Sequence, residues 1–347
     1  MSERIVPKTV LLTGASGYIA KHIALQLLEA GYHVRGTVRD IARSAEVNDA
    51  IAAHLSDTDN LDQRLTFAAL DLNSDDNWAD AMAGIDTVLH TASPFPMVQP
   101  KDENDLIRPA VDGAVRALKA ANNAGIKRVI MTSSTAAING SALPPGDTAY
   151  SETNWTNPDD ADITPYTKSK TLAELAAWDY VRDHAPEMKL TIINPGFVVG
   201  PPLDNKFGTS VQVIERILRA KDPMLPNFGF TAVDVRDVAE MHVHAIQNTE
   251  TFGQRIMTVD RFIMFAEMAK AIKAAYPQRR VVTRTAPDFV VRLLAIFDPA
   301  IRQIVPSLGR IEKIDNSRAM KTLGRGMRQT PKSVVETAAH LIDNNLI

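Results

Sequence analysis

The heptapeptide TPYTKSK, residues 164–170, places one tyrosine shortly before two lysines. On a helix, the side chain at position i+4 lies over position i, whereas the side chain at i+2 points roughly to the opposite side. Lys170 is therefore predicted to lie beside Tyr166, and Lys168 is predicted to be a solvated charge on the outer helix face. A tyrosine pKa of ~10 is too high for ready proton exchange at neutral pH, and a nearby ammonium lowers it by stabilising the phenolate. The spacing thus allows the lysine to lower the tyrosine pKa, although Tyr166 taken alone would by default be an ordinary half-buried helix tyrosine.

The segment TGASGYIA, residues 13–20, lies between a predicted strand and a predicted helix. Gly14 and Gly17 permit a tight turn and let backbone N–H groups approach a phosphate at the helix N-terminus, and Ala20 is the third small position. This arrangement favours dinucleotide binding. Glycine-rich turns between a strand and a helix also occur with no ligand, so that alternative stays open for the motif taken alone.

Two serines, Ser133 and Ser134, end the predicted strand that begins at Arg128. Parallel α/β sheets bind ligands at the carboxyl edge of their strands, so both serines lie where a site is expected. Alternation along a strand places the two side chains on different sides, and only one of them is expected to face the site. The other would cap or bond the backbone at the strand end.

The second predicted strand is followed by Arg39 and Asp40. An acidic residue at this point binds the ribose 2′-hydroxyl of NAD, whereas an arginine accommodates the 2′-phosphate of NADP. Arg39 therefore favours NADP(H), and Arg43 would add a second cation. An exposed surface arginine is the alternative, and a carboxylate of Asp40 turned inward would instead favour NADH.

Short apolar runs alternate with helical patterns along the first part of the chain. Four predicted strands span residues 10–13, 34–38, 65–70 and 87–90, and two more begin at residues 128 and 190. Continuous apolar runs indicate strands buried on both faces, hence a parallel sheet with helices on either side. Later helices are predicted at 209–220, 235–247, 263–275 and 331–343. The predicted fold class is α/β: a Rossmann-type doubly wound parallel sheet with a smaller C-terminal α+β substrate lobe.

Two domains are expected. Residues 1–195 are predicted to form an NADP-binding Rossmann domain, and residues 196–347 mainly a substrate-binding lobe, with part of 231–260 returning to the Rossmann core. Segments 140–165 and 201–208 are rich in Pro, Gly, Asp and Asn and read as loops. These loops and the C-terminal lobe would build the substrate pocket.

Charge and composition narrow the classes of partner. A formal net charge of -3 gives no support for a nucleic-acid or acidic-membrane partner. The absence of cysteine excludes disulfides and a thiol nucleophile and fits a reducing compartment. His242 and His244 do not share a helix face, so no metal site is expected. The N-terminal segment lacks the apolar core of a signal peptide and no run reaches the length of a membrane span, so a cytoplasmic location is expected.

Taken together, the motifs resemble the dihydroflavonol 4-reductase-like branch of the extended short-chain dehydrogenase/reductase superfamily, which includes cinnamoyl-CoA, methylglyoxal and related carbonyl reductases. The G-x-x-G-x-x-A spacing is the variant that extended members carry. The resemblance covers roughly the first two thirds of the chain and rests on the segments TVLLTGASGYIA, GYHVRGTVRD, DTVLHTASPF, KRVIMTSSTAAIN, YTKSKTLAELAAW, NPGFVVGPP and TAVDVRDVAEMHVHAI. The last third matches only loosely.

The resemblance implies roles for individual residues. Tyr166 would donate the proton to the substrate carbonyl, with Lys170 as its partner and as a contact to the nicotinamide ribose. Ser134, rather than Ser133, would hydrogen-bond the carbonyl oxygen. The NADP(H) contacts map onto Thr13, Gly14, Ser16, Gly17, Tyr18, Ile19, Arg39, Asp71, Leu72, Thr91, Ala92, Ser93, Tyr166, Lys170, Pro195, Gly196 and Val198. Asn139 matches a substrate-contacting position, although with the following glycine it could equally be only a turn.

The substrate pocket has candidate apolar wall residues, which are equally good core residues. They are Phe95, Phe207, Met224, Phe228 and Phe230. Walls of this kind suit an aryl or alkyl carbonyl, so Phe95 joins Asn139 as an expected substrate contact.

The expected function is the NADPH-dependent reduction of aldehydes or ketones, aryl or medium-chain, to alcohols by hydride transfer, with the tyrosine as proton donor. Two alternatives remain: a sugar-nucleotide epimerase or dehydratase of the same superfamily, and a noncatalytic NADP-sensing binding protein. The first class usually has V-Y-G after the serine, where this chain has SSTAAIN, and the second typically lacks the tyrosine. The expected partner is a small carbonyl or alcohol substrate. The family contains monomers and dimers, so a homodimer remains open.

Overall fold

The computed structural model describes residues 8–93 and 102–347, and in these ranges the chain forms ten strands. They are β1 (Thr9–Thr13), β2 (His33–Val38), β3 (Leu65–Ala69), β4 (Thr87–His90), β5 (Arg128–Thr132), β6 (Lys189–Pro195), β7 (Phe197–Val199), β8 (Gly229–Asp234), β9 (Gln254–Thr258) and β10 (Arg261–Met264). Seven of them form one parallel sheet in the order β3-β2-β1-β4-β5-β6-β9. The predicted Rossmann-type sheet is confirmed.

Helices cover the sheet and build most of the C-terminal part. Their bounds are α1 (Tyr18–Glu29), α2 (Ser44–Ala52), α3 (Leu61–Arg64), α4 (Trp78–Met82), α5 (Asn104–Asn123), α6 (Ala136–Asn139), α7 (Pro165–His184), α8 (Thr209–Leu218), α9 (Val235–Gln247), α10 (Phe265–Ala275), α11 (Asp288–Leu294), α12 (Pro299–Ile304), α13 (Ser317–Leu323) and α14 (Thr330–Asp343). The helix predicted at 263–275 starts later than expected, at Phe265, because Ile263 and Met264 pair with β8 as part of β10. Among the described residues, no helix is both long and apolar enough to cross a bilayer.

Strand β1 shows why the sheet needs helices on both sides. Val10 and Leu12 lie in the hydrophobic core that contains residues of α1 and α9. Leu11, between them, points to the other face and joins the core that contains residues of α5 and α7. All three side chains are buried, so the continuous apolar run corresponds to a strand covered on both faces.

The seventh strand, β9, lies far along the chain and pairs in parallel with β6. Its sequence, QRIMT, begins with two polar residues, and the apolar-run pattern does not predict it. Between β8 and β9, α9 packs into the same core as α1. Residues 235–258 therefore complete the sheet and one of its covering layers, while a division into two domains at residue 195 stays a prediction.

A second sheet, in the order β10-β8-β7, starts directly after the carboxyl end of β6. Its strands share a hydrophobic core with α8, α10 and α14. This smaller lobe therefore lies beyond the carboxyl edge of the large sheet, where ligand sites of parallel α/β proteins are found.

Candidate active site and cofactor groove

The turn between β1 and α1 is held in a conformation that only glycine adopts easily. Gly14 has a φ of 68°, and a Cβ added there would lie 3.0 Å from Cα of Ala92. The N–H of Gly17 donates to the carbonyl of Gly14 at 2.9 Å, and Gly17, the N-cap of the helix that starts at Tyr18, has no side chain that could cap it. Among the described residues, no side chain accepts from the N–H groups of the first turn of α1, and anions favour this end of a helix dipole.

A groove of about 490 Å³ runs past this turn along the carboxyl edges of β2, β3 and β4. Nine of the residues predicted to contact the cofactor line it: Gly14, Ser16, Gly17, Arg39, Asp71, Leu72, Thr91, Ala92 and Ser93. The lining also includes residues that were not predicted to contact the cofactor, among them Thr37, Asn73 and Asp105.

The charged residues after β2 make different contacts. Arg39 is exposed at the groove, and within the described part of the chain it has no ion-pair or hydrogen-bond partner. Arg43 also lines the groove, but it donates to Glu46 at 2.8 Å. The carboxylate of Asp40 accepts from the N–H of Ala42 at 3.0 Å and caps the short 3₁₀ turn that follows. Its side chain is therefore held by the backbone rather than turned into the groove.

Thr13 does not take the position expected of a cofactor contact. It is fully buried, and it is absent from the residues that line the groove. Its hydroxyl lies 2.9 Å from Nδ1 of His90 and accepts from the N–H groups of Thr91 and Ala92, each at 3.1 Å. Thr13 thus fixes the backbone after β4 instead of facing the groove. Burial lowers the pKa of His90 to about 4, consistent with a packed, neutral histidine.

A second cavity, of about 730 Å³, opens beside the groove between the large sheet and the smaller lobe. The two spaces share lining residues Gly14, Gly17, Thr91 and Ser93, so they are continuous. The remaining predicted contacts that line this cavity are Tyr18, Ile19, Ser134, Asn139, Tyr166, Lys170, Pro195, Gly196 and Val198.

The start of α7 sets the register of the tyrosine and the lysines. The hydroxyl of Thr164 accepts from the N–H of Thr167 at 3.1 Å, so the helix begins just before Tyr166. Nζ of Lys170 lies 5.9 Å from the centre of the Tyr166 ring and donates to Oγ of Ser93 at 2.9 Å. Nζ of Lys168 instead forms a partly exposed ion pair with Glu103 at 2.9 Å. The helical spacing therefore brings Lys170, and not Lys168, to the tyrosine.

The protonation of this pair differs from the expectation based on charge alone. Burial raises the pKa of Tyr166, and a hydrogen bond with Ser134 opposes that rise. Burial also lowers the pKa of Lys170 to about 8, while Glu174 opposes that change. Desolvation thus disfavours both charged forms, and the pKa of Tyr166 is raised where the spacing predicts a lower value.

The adjacent serines face different partners. Ser134 lines the cavity and shares a hydrogen bond with the Tyr166 hydroxyl, while its Oγ also accepts from the N–H of Ala136 at 3.1 Å. Oγ of Ser133 donates to Oε2 of Glu174 at 2.5 Å. Strand alternation therefore directs one serine to the tyrosine and the other to a buried carboxylate, where it takes a structural hydrogen bond.

Glu174 lies within the segment YTKSKTLAELAAW but was not among the predicted site residues, although its spacing would allow it to be found. It follows Lys170 by four residues, as Lys170 follows Tyr166, so all three lie on one face of α7. Its carboxylate accepts from Arg255 Nε at 2.5 Å and from Asn194 Nδ2 at 2.7 Å. Arg255 comes from β9, and no local pattern relates it to α7.

Aromatic rings form part of the cavity wall. Phe228 and Phe230 line it as predicted, together with Phe197, whose ring stacks on that of Phe230 at a centroid distance of 4.2 Å. Phe207 packs against the core of the smaller lobe, and Met224 is exposed. Neither of these two lines the cavity. The predicted contact Phe95 lies outside the described residues.

Asn139, the other predicted substrate contact, is the last residue of the one-turn helix α6 and lines the cavity. Its Nδ2 donates to Oε2 of Glu312 at 2.6 Å and lies 3.5 Å from Oγ1 of Thr231. Glu312 also lines the cavity and was not indicated by any sequence motif.

Several proteins with similar sequences are named as reductases. The chain is 34% identical to cinnamoyl-CoA reductase CAD2 of Medicago truncatula, over 83% of this chain and 87% of that protein. It is 32% identical to a putative NADPH-dependent methylglyoxal reductase, GRP2, of Candida albicans, over 78% and 83%. The crystal structure of Gre2 from Candida albicans in complex with NADPH is 27% identical, covers 97% of this chain and 99% of its own, and has a TM-score of 0.80.

A family model also matches most of the chain. The model of the NAD dependent epimerase/dehydratase family aligns with residues 10–259, which span every strand of the large sheet except the first residue of β1. These matches confirm the resemblance that the motifs indicate. This chain belongs to the NAD dependent epimerase/dehydratase family of extended short-chain dehydrogenases/reductases.

Proposed function

We propose that this protein is an NADPH-dependent reductase that converts aldehydes and ketones, aryl or medium-chain, to alcohols. The observation that carries the proposal is the contact between Tyr166 and Ser134 beside Lys170, at the junction of the groove and the cavity. A carbonyl oxygen entering this junction would meet two hydroxyl donors. The reductases named among the relatives support the same chemistry.

The groove has the features that NADPH requires. The uncapped N-terminus of α1 suits a pyrophosphate, because its N–H groups and helix dipole favour an anion. Arg39, exposed at the groove and without a partner among the described residues, suits the 2′-phosphate. Asp71 and Leu72 lie where the adenine would be held. NADPH supplies the hydride when it is bound there.

The side chains of the protein supply the proton and orient the carbonyl. The hydroxyls of Ser134 and Tyr166 would both donate to the carbonyl oxygen and stabilise the negative charge that develops on it. The Tyr166 hydroxyl then gives its proton to that oxygen, which completes the alcohol and leaves a phenolate. Charged Lys170 would stabilise the phenolate until solvent returns the proton. The bond between Lys170 and Ser93 holds the ammonium in place.

A turnover assay with NADPH and a panel of aldehydes, ketones and UDP-sugars tests the proposal. We expect loss of NADPH in equal amount to the alcohol formed, with higher kcat/KM for bulky carbonyls than for acetaldehyde, because the apolar wall binds the remote group in the transition state. Turnover of a UDP-sugar without net consumption of nicotinamide would assign the protein to the epimerase alternative. Binding of NADPH with no turnover of any member would favour the noncatalytic alternative.

The location and oligomeric state belong to the same proposal. A cytoplasmic location is supported by the absence of cysteine, which fits a reducing compartment. A homodimer is supported by large apolar side chains exposed on and after α11, namely Phe289, Leu293, Leu294, Ile296 and Phe297. Light scattering of the purified protein would distinguish dimer from monomer, and fractionation of source cells would test the location.

A further inference from the structure

The chain between α12 and α13 crosses the substrate cavity and brings an acidic side chain into its lining. Ser307 and Glu312 from this segment, and Ile304 at the end of α12, line the same cavity as Ser134 and Tyr166. The Glu312 side chain is only 13% exposed. A carboxylate this buried loses most of its hydration, and it needs compensating hydrogen bonds or charges.

The protein supplies only some of the hydrogen bonds that the Glu312 carboxylate can accept. Oε2 accepts from Nδ2 of Asn139 at 2.6 Å, and within the described part of the chain this is the one hydrogen bond to Glu312. Arg310 Nε is 3.4 Å from Oε1. The guanidinium directs Nη2 to the carbonyls of Asn139 and Ser141, at 3.3 and 3.0 Å, and to the Tyr150 hydroxyl. A carboxylate has sites for about four hydrogen bonds, so Glu312 retains acceptor capacity.

The pKa of Glu312 also indicates that its neighbours do not fully replace the hydration lost on burial. Burial raises the pKa of Glu312, and the opposing effects of Arg310 and Asn139 do not cancel that rise. A donor on a bound molecule would complete the set of hydrogen bonds and favour the ionised carboxylate. A second carboxylate on a bound molecule would be repelled and would leave both groups poorly solvated.

We propose that Glu312 determines substrate specificity by accepting a hydrogen bond from a hydroxyl or a protonated amine on the part of the substrate remote from its carbonyl. The inference rests on the proposed reductase function. The stacked rings of Phe197 and Phe230 offer an apolar surface for the body of such a substrate. The preferred substrate class is therefore an aryl carbonyl compound with a distal hydrogen-bond donor, and carbonyl compounds with a distal carboxylate are poor substrates.

A set of para-substituted benzaldehydes tests this inference with NADPH and the full-length protein. The substituents are hydrogen, hydroxymethyl, dimethylaminomethyl and carboxylate. The tertiary amine is protonated at neutral pH and cannot condense with the aldehyde. We expect kcat/KM for the two donor substrates to exceed that for benzaldehyde by about tenfold or more, the scale of a hydrogen bond to a charged group, and kcat/KM for the carboxylate to be lower than for benzaldehyde.

The Glu312→Gln variant tests the contribution of the carboxylate charge to this selectivity. Glutamine keeps the oxygen that accepts from Asn139 and removes the charge, so the ratio of kcat/KM between donor substrates and benzaldehyde should fall to within about twofold of one. Glu250→Gln is the matched control, because Glu250 is 68% exposed and does not line the cavity. This variant should keep the wild-type ratio.

The outcomes separate the inference from the proposed function. If the wild type reduces benzaldehyde but does not discriminate among the four substituents, or if Glu312→Gln keeps the wild-type ratios, the inference is wrong and the reductase function stands. If no benzaldehyde is reduced, the Kd values of the four corresponding benzyl alcohols can be measured by calorimetry with NADP⁺ present. The two alcohols with a donor substituent should then bind more tightly than benzyl alcohol, and the carboxylate more weakly. Equal Kd values would then overturn the inference independently.

Discussion

Nε of Arg255, on β9, donates to Oε1 of Glu174, on α7, at 2.5 Å, and the two side chains are only 7% and 0% exposed. Glu174 also accepts from Ser133 at 2.5 Å and lies one helical turn beyond Lys170. The guanidinium of Arg255 stacks over the Trp155 ring, 3.6 Å from its centre. The last strand of the sheet is therefore tied to the helix that carries the proposed catalytic pair.

Breaking this buried ion pair should destabilise the fold. Arg255→Met leaves Glu174 as a buried charge without its counterion, and we expect the free energy of unfolding in urea to fall by about 3–5 kcal/mol. Adding Glu174→Gln to that variant should recover part of the loss. Lys321→Met, which removes an exposed ion pair with Glu250, should cost less than about 1 kcal/mol. Equal effects of Arg255→Met and Lys321→Met would contradict this reading.

The proposed roles of the tyrosine and lysine predict large and selective losses of activity. Tyr166→Phe and Lys170→Ala should each lower kcat by at least about a hundredfold, the scale of positioned acid catalysis. Lys168→Ala should stay near wild type, since its ammonium pairs with Glu103 on the outer side of α7. If Lys168→Ala were the damaging lysine substitution, the assignment of Lys170 would be wrong.

Substitution of Ser134 should mainly affect catalysis, whereas substitution of Ser133 should mainly affect stability. Ser134→Ala should lower kcat strongly with little change in unfolding free energy, because it removes a donor at the carbonyl oxygen. Ser133→Ala removes a donor from buried Glu174 and should cost about 1–3 kcal/mol of stability. Steady-state kinetics and urea unfolding of both variants measure this contrast. A greater loss of kcat in Ser133→Ala would reassign the proposed carbonyl donor.

The pH dependence of reduction should follow Lys170. Its pKa of about 8 means that the ammonium is present at neutral pH and is lost as the pH rises through 8, so kcat should fall on the alkaline side. The raised pKa of Tyr166 keeps the phenol protonated in this range, and neighbouring His90 is neutral. Because Glu174 raises the pKa of Lys170, Glu174→Gln should move this alkaline fall to lower pH. A profile that is flat up to pH 10 would refute the assignment.

Cofactor preference should depend on Arg39. A guanidinium that meets the 2′-phosphate is worth about 1.5–3 kcal/mol per charge-assisted bond, so kcat/KM should favour NADPH over NADH by roughly tenfold to a few hundredfold. The preference should collapse in Arg39→Ala. Arg43→Ala should have a smaller effect, since Arg43 already pairs with Glu46. A wild type that prefers NADH would remove Arg39 from the cofactor site.

Features that depend on short-range geometry were predictable from the sequence. The placement of Lys170 rather than Lys168 beside Tyr166 follows from the helical repeat, and the glycine turn before α1 follows from spacing within a few residues. Most of the parallel sheet was also predictable, since strands such as β1, β4 and β5 are apolar runs buried on both faces, whereas β9 lacks this pattern.

Only the tertiary structure decided the contacts that join distant segments. Arg255 meets Glu174 across 81 positions of sequence, and Glu312 meets Asn139 across 173. Burial is likewise a property of the assembled fold, and it raises the pKa of Tyr166 where spacing alone predicts a lower value. Local sequence determines which side chains share a helix face, but the solvent exposure and charged partners of those side chains depend on which elements pack against them.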